Sequence, residues 1–259
     1  MNALKEKIKA GKKTLGTQLS MGENYVADIY GILDYDFIWL DTEHSAIDYG
    51  KLLNCITILK AHKRPVIVRA QMDDFNHTKR ILEMGPDGII FPTVDTPEYA
   101  DKCIKSTLYP PLGNRGCGPL RAVLYGETPI KEYIDNQLDN LCRFIQIESI
   151  TAVKNLPEII KNPYIDGYIL GPFDMSGTIG RLSDVYCEEN MALIKETIKI
   201  LKENGKYVGM AMTSTEESEQ RKWLDLGADM ITSGADFDYI FRGAKKNLQQ
   251  FKNILKDYE

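Results

Sequence analysis

Residues 36–92 read DFIWLDTEHSAIDYGKLLNCITILKAHKRPVIVRAQMDDFNHTKRILEMGPDGIIFP. Three short apolar runs, FIWL, VIV and GIIF, stand in it between Asp, Pro and Gly. Continuous runs of this length fit strands buried on both faces, as in a parallel sheet. Between the first two, Leu52, Leu53, Ile56 and Leu59 fall on one helical stripe. The alternation extends outward in both directions. Strands are predicted over Leu15–Ser20, Asp36–Asp41, Pro65–Gln71, Gly88–Pro92, Cys142–Glu148, Gly167–Gly171, Tyr207–Met212 and Asp229–Ser233. Met191, Ile194, Ile198 and Leu201 make a second helical stripe, and Gly205 and Gly227 follow helix ends. Eight strands, each followed by a helix, predict a closed (β/α)8 barrel. The rival is an open doubly wound sheet, but LGTQLSMGEN at residues 15–24 lacks the GxGxxG phosphate turn of that fold.

The 259 residues suit one large domain, and no Pro/Gly/Ser-rich linker or shift in composition divides residues 1–259. A net charge of -5 without a basic stripe argues against a nucleic-acid partner. No apolar stretch approaches the roughly 18 residues of a membrane span, and MNALKEKIKAGKKTLG has no apolar core for a signal peptide. Cys55, Cys103, Cys117, Cys142 and Cys187 are scattered, odd in number and without CxxC spacing. Reduced thiols in a cytoplasmic protein are the expectation. The one long irregular segment runs from Tyr109 to about Pro129 and contains YPPLGNRGCGP. Its Pro and Gly forbid regular structure, and segments of this length are commonly lids or binding loops.

Barrel enzymes build their sites where the strands end. Strand two ends in Asp41-Thr42-Glu43-His44, strand three in Arg69-Ala70-Gln71, strand five in Gln146-Ile147-Glu148-Ser149, and strand six runs into Gly171-Pro172-Phe173-Asp174. The other ends, FPTV, AMTS and TSGA, are small or apolar. Glu148 and Asp174 stand at the mouths of neighbouring strands. Either each caps a helix or pairs with Arg, or the two share a cation; an all-oxygen pair suits Mg²⁺ or Mn²⁺ with water positions open. His44 directly follows a buried strand between two acids, Asp41 and Glu43, either of which could orient its ring. By contrast His62 is expected at a solvated helix end, and His77 exposed or packed. Arg69 ends a Val-rich strand and needs an anion, a structural carboxylate or a substrate oxyanion.

LDTEH at 40–44, PVIVR at 65–69, YPPLGNRGCG at 109–118, QIES at 146–149 and GPFDMSGTIG at 171–180 resemble, in order and spacing, the HpcH/HpaI aldolase family. The similarity spans about residues 5 to 250. It implies a TIM barrel of the phosphoenolpyruvate/pyruvate-binding type and a class II, metal-dependent aldolase like those acting on 2-dehydro-3-deoxyglucarate or 4-hydroxy-2-oxoheptanedioate. It further implies Glu148 and Asp174 as ligands of a divalent ion (Mg²⁺, Mn²⁺ or Co²⁺) and His44 as the base. Asp41 would stand beside that base, Arg69 at the pyruvate enolate, and Gln146 and Asp174 at the substrate. Glu83 occupies the place of an acidic partner of the histidine, where a shorter Asp is usual. Phe173 stands where a small residue is common and would narrow the pocket floor, and Pro86 is a further departure.

The reaction this resemblance implies is reversible cleavage of a 4-hydroxy-2-keto acid to pyruvate and an aldehyde through a pyruvate enolate. Main-chain N–H groups after Gly171-Pro172 would hold the substrate carboxylate. Independently, none of the eight strand ends carries a lysine for a Schiff base. The resemblance also implies a homo-oligomer, a hexamer built as a trimer of dimers, with the 109–129 loop long enough to reach a neighbouring site. Alternatives are a lyase or decarboxylase acting on a keto acid or an acyl-CoA, for which Arg115, Arg121 and Arg181 would have to bind the nucleotide. A non-catalytic keto-acid-binding barrel and a phosphate-sugar site at TSGADF remain as well.

Overall fold

The computed structural model describes residues 2–258. Eight strands, β1 (Thr14–Leu19), β2 (Phe37–Asp41), β3 (Val66–Arg69), β4 (Gly88–Phe91), β5 (Cys142–Ile147), β6 (Gly167–Leu170), β7 (Val208–Thr213) and β8 (Met230–Ala235), lie within two residues of their expected places. Each pairs in parallel with the next, and β8 returns to β1 to close the barrel. The helices are α1 (Ala3–Lys9), α2 (Asn24–Ile32), α3 (Tyr49–Ala61), α4 (Phe75–Glu83), α5 (Pro97–Lys105), α6 (Ile130–Asp135), α7 (Gln137–Asn140), α8 (Ile150–Ile159), α9 (Pro172–Thr178), α10 (Glu188–Glu203), α11 (Glu217–Asp225) and α12 (Asp236–Leu255). Among the described residues, no helix is long and apolar enough to cross a membrane.

The strands' two-residue period splits the core into two shells. Ile38, Leu40, Val66 and Val68 face outward into the packing beneath the helices. Phe37, Trp39, Ile67, Ile90, Phe144 and Ile169 belong to a separate inner cluster. Continuing the inward series toward the strand ends reaches Asp41, Arg69, Gln146 and Glu148. The β2–β3 register then sets Asp41 directly opposite Arg69. The parity that fills the barrel with apolar side chains thus aims its polar ends into one mouth.

The opposite end is sealed by α1, which the sequence patterning had left unassigned. The Asn2 side chain caps it by accepting from the N–H groups of Leu4 and Lys5. Leu4 and Ile8 join the inner cluster. Lys5 Nζ donates to the Leu141 carbonyl at 2.9 Å and pairs with Asp166 at 3.0 Å, so the buried ammonium is satisfied.

The Tyr109–Pro129 segment leads from the end of α5 to the start of α6, ahead of β5, so it lies at the sealed end of its own barrel. Arg121 within it donates to the carbonyl of Met84, just past α4. The expected irregularity is present, interrupted only by a short 3₁₀ segment, Arg121–Gly126.

Candidate active site

Asp41 is 3% exposed, and four groups converge on it. Arg69 donates from Nε at 2.9 Å and from Nη2 at 2.5 Å, a two-point grip that fixes the guanidinium plane. Gln18 Nε2 donates at 3.1 Å, and the N–H of Glu43 at 3.1 Å. The His44 N–H reaches the same carboxylate at 3.4 Å. Asp41 therefore orients the arginine and the turn that carries His44, not the imidazole ring.

The acid facing the ring is Glu43, at 3.6 Å from His44 Nε2 and 3.2 Å from Arg69 Nη1. Burial raises its pKa, and the nearby guanidinium opposes that rise. His44 itself is exposed at the mouth. Arg69 thus has two structural carboxylates, lies 5.4 Å over Trp39, and still lines the mouth.

On the other side, Glu148 is 6% exposed. Its Oε1 accepts from the N–H of Thr93 at 2.5 Å and from the Thr93 hydroxyl at 2.9 Å. Its Oε2 accepts from Gln146 Nε2 at 2.7 Å. Gln146 Oε1 in turn accepts from Arg69 Nη1 at 3.4 Å. An unbroken hydrogen-bonded chain, Glu148–Gln146–Arg69–Asp41, therefore crosses the mouth. Burial pushes the Glu148 carboxyl up to about 7 despite the two bonds from Thr93, and the charges of Asp174 and Glu43 push the same way. Gly171 permits this packing, because a Cβ there would stand 2.7 Å from Glu148 Oε2 and 2.8 Å from its Cβ.

Asp174, in the first turn of α9, lines one cavity of about 390 Å³ with Glu148, Glu43 and His44. A buried carboxylate short of positive charge beside two more acids suits a cation. Among the described residues no group of three or more His, Cys, Asp or Glu side chains is arranged to hold a metal. Two protein carboxylates, with substrate and water completing the shell, are the donor set that fits, and all-oxygen donors suit a hard divalent ion.

Two sequence expectations are not met within one subunit. Glu83 does not meet His44 of its own barrel. It ends α4, five residues before β4 begins, and so sits at the sealed end, where it accepts from Arg115 Nη2 at 3.1 Å. Helix direction decided this, since α4 runs back down the barrel from the mouth. Phe173 is half exposed and is absent from the side chains lining the mouth cavities, so it does not narrow the floor.

The strand ends read as small or apolar contribute more than expected. Thr93 holds Glu148 from a left-handed backbone (φ 51°), and Thr213 and Thr232 line a cavity with Arg69 and Trp39. His77, one turn into α4, is packed behind the site. Thr42 donates to the Arg69 carbonyl at 2.5 Å, so His77 Nε2, 3.1 Å from the same hydroxyl oxygen, must donate. His77 Nδ1 then accepts from the Tyr49 hydroxyl at 2.8 Å. Burial lowers the His77 pKa and keeps the ring neutral in this role. Nothing in the sequence pattern marks Tyr49, Thr42 and His77 as one unit.

Geometry also bears on the alternatives. Arg115 and Arg121 are bonded at the sealed end, and Arg181 pairs on the surface with Glu189 at 3.5 Å. A nucleotide at the mouth would meet none of the first two. Asp236, 2% exposed, accepts from the N–H groups of Ser20, Met21 and Phe237. Its carboxylate occupies the Phe237 amide, just after β8, together with two amides after β1.

A family model described as HpcH/HpaI aldolase/citrate lyase matches residues 18–242. A 4-hydroxy-2-oxo-heptane-1,7-dioate aldolase of Klebsiella pneumoniae subsp. pneumoniae is 29% identical over 250 residues, covering 96% of this chain and 94% of its own. A hydroxypyruvate/pyruvate aldolase of Deinococcus radiodurans is 29% identical over 252 residues, covering 97% and 90%. The crystal structure of an HpcH/HpaI aldolase/citrate lyase family protein from Burkholderia cenocepacia J2315 superposes with a TM-score of 0.90 at 24% identity, over 97% of this chain and all of that one. The last of these shows the shared fold.

Proposed function

Because the chain belongs to the HpcH/HpaI aldolase/citrate lyase family and is a class II aldolase, a carbon–carbon lyase, we propose that it reversibly cleaves a 4-hydroxy-2-keto acid to pyruvate and an aldehyde. The reading includes the whole chain, residues 1–259, working as one barrel domain in the cytoplasm. The observation that carries it is the Glu148–Gln146–Arg69–Asp41 chain, which couples a cation-binding acid to an oriented guanidinium across one mouth.

Glu148 and Asp174 would hold the divalent ion, Mg²⁺, Mn²⁺ or Co²⁺, which when bound polarises the keto oxygen as a Lewis acid. Among the described residues Arg69 keeps one N–H, on Nη2, without a partner, and it would donate to the C2 oxygen, where negative charge develops. Asp41 and Glu43 keep the guanidinium from turning away, so the donors need no reorganisation as the charge forms. Gln146, bonded to both sides, sets the spacing between the acid and the arginine. His44 takes the proton from the C4 hydroxyl. The C4 carbonyl forms, the C3–C4 bond breaks, and its electron pair becomes the enolate of pyruvate, which a proton at C3 then quenches. In the synthetic direction His44 returns the proton to the new C4 alkoxide.

Exchange of the pyruvate methyl protons with D₂O, followed by proton NMR, tests the enolate without knowledge of the aldehyde. Protein supplied with Mg²⁺ or Mn²⁺ exchanges the methyl signal, chelator-treated protein does not, and added ion restores exchange. An unchanged methyl signal in the supplied protein overturns the reading.

The assembly is proposed as a homo-oligomer, a hexamer of three dimers. What supports it is α12. Of its 20 residues only Asp236 is buried, while Phe237, Ile240, Phe241, Leu248, Phe251, Ile254 and Leu255 are exposed. Their spacing of three and four makes one apolar stripe along a helix about 30 Å long. A barrel helix normally buries such a stripe, and each large apolar side chain gains about 1.5–3 kcal/mol on burial. A second copy is the natural cover. Replacing Phe241 and Phe251 together by Asp is expected to yield a smaller species in light scattering. An unchanged assembly would remove α12 from the interface.

A further inference from the structure

Arg69 is held at both ends. Asp41 grips its guanidinium, and its main chain has a separate clamp. The β2–β3 ladder stops at the Asp41–Arg69 pair. One residue further, the Arg69 carbonyl accepts twice from Thr42, from its N–H at 3.2 Å and from its hydroxyl at 2.5 Å. Thr42 follows Asp41 directly, so both ends of the arginine hang from neighbouring residues.

The Thr42 hydroxyl is in turn aimed from outside the strands. His77 Nε2 donates to it at 3.1 Å, and the Tyr49 hydroxyl donates to His77 Nδ1 at 2.8 Å. Asp74 accepts from the His77 N–H at 2.8 Å and so fixes the first turn of α4 that carries the ring. The Arg80 guanidinium lies 3.7 Å over the Tyr49 ring. A carbonyl can only accept, which sets the direction of every bond from Tyr49 through His77 and Thr42 to Arg69. Bonds aligned in this way strengthen one another. A ring protonated on Nδ1 would instead take the Thr42 proton on Nε2 and release the Arg69 carbonyl. Thr42 is 1% exposed and His77 6%, and all four residues belong to one barrel, so the series is complete without a neighbouring copy.

We propose that His77 is a positioning residue: through Thr42 it holds the end of β3, and with it the Arg69 guanidinium, where charge on the enolate oxygen is stabilised. The inference rests on the aldolase reaction proposed above. A donor already in place needs no reorganisation as charge forms. Pyruvate binds through the ion on Glu148 and Asp174, so loosening Arg69 lowers kcat and leaves KM.

The experiment follows methyl exchange by ion-supplied enzyme over a range of pyruvate concentrations, in Thr42→Val, His77→Phe and His77→Gln. Valine keeps the shape of Thr42 without its hydroxyl, and phenylalanine fills the space of the imidazole without a donor. Glutamine restores a donor at about the reach of Nε2. Thr42→Val and His77→Phe are expected to lower kcat for exchange about tenfold, short of the roughly 10²-fold that a 1 Å misplacement costs, with KM for pyruvate within about threefold. His77→Gln, with the donor restored, is expected within about threefold of wild type. In an Arg69→Lys background Thr42→Val should cost less than about twofold further, because the guanidinium it positions is gone. The tautomer is read independently of activity from imidazole nitrogen NMR shifts of histidine-labelled protein. The chain has three histidines, and His77→Gln assigns the signal by removing it. Nε2 is expected to carry the proton. A proton on Nδ1, a wild-type kcat in Thr42→Val, equal losses in His77→Gln and His77→Phe, or an undiminished loss from Thr42→Val beside Arg69→Lys overturns this inference alone. Absence of exchange in the wild type overturns both it and the reading on which it rests.

Discussion

Glu148→Gln is expected to lower both pyruvate methyl exchange and cleavage of a 4-hydroxy-2-keto acid by about 10³-fold or more, because the divalent ion proposed to sit on Glu148 would contribute several kcal/mol as a Lewis acid. The substitution keeps the shape of the side chain, and its amide can still accept from Thr93. It removes the charge. The folding readout separates the two effects: wild-type protein gains thermal stability when Mg²⁺ or Mn²⁺ is added, and the variant does not. The pH dependence has a definite sign. Glu148 titrates near 7 in the cation-free fold, above the roughly 4.3 of an unfolded chain. The folded state therefore binds that proton more tightly, and the cation-free protein loses stability, of order 3 kcal/mol, as pH rises from about 4.3 through 7. A cation must displace the proton, so its affinity climbs from pH 5.5 to 7 and then levels off. Equal cation stabilisation in wild type and variant would remove Glu148 from the site.

The second large effect divides the base from the arginine. His44→Ala is expected to slow cleavage by about 10²–10⁴-fold while leaving methyl exchange within a few-fold, since exchange needs no C4 hydroxyl. The exposed His44 makes little packing, so the variant folds normally. Arg69→Ala suppresses both reactions but strands Asp41, 3% exposed, without its two guanidinium bonds. Leaving such a charge unpaired costs about 3–5 kcal/mol, and loss of fold would mimic loss of chemistry. Arg69→Lys resolves the ambiguity. It keeps the positive charge beside Asp41 and loses the planar fork, so it should fold and still exchange about 10²-fold more slowly. If Arg69→Lys exchanges at the wild-type rate, a point charge suffices and the oriented guanidinium is not the enolate donor. If His44→Ala cleaves normally, another group is the base.

Much of the site was readable from the chain because strand parity is a local rule. Phe37-Trp39-Asp41, Ile67-Arg69 and Phe144-Gln146-Glu148 alternate with outward residues, so the apolar members of each series disclose where the polar member points. Adjacency alone left open whether Asp41 or Glu43 faces His44. Thr93 and the Tyr49–His77–Thr42 relay were not readable from parity. They lie in turns or on neighbouring helices, where no period relates sequence position to direction. Thr93 holds Glu148 only because its backbone takes a left-handed turn, which the residue type does not announce. Glu83 shows the converse hazard. Its position in a motif suggested a partner for His44, yet nine residues of helix carry it to the other end of the barrel, against Arg115.

The alternation of apolar strand and amphipathic helix was enough to specify the closed eight-stranded barrel, its strand positions within two residues, and which strand ends carry carboxylate, imidazole and guanidinium side chains. Burial free energy along a strand depends on residues two apart, so that information is local and survives in the sequence. Which acid meets which base is another matter. Asp41 gripping Arg69, Glu43 facing His44, and Glu148 raised toward 7 arise from side chains tens of residues apart meeting where water is scarce. Coulombic and desolvation energies depend on distance and burial in space, and both are set only when the barrel closes.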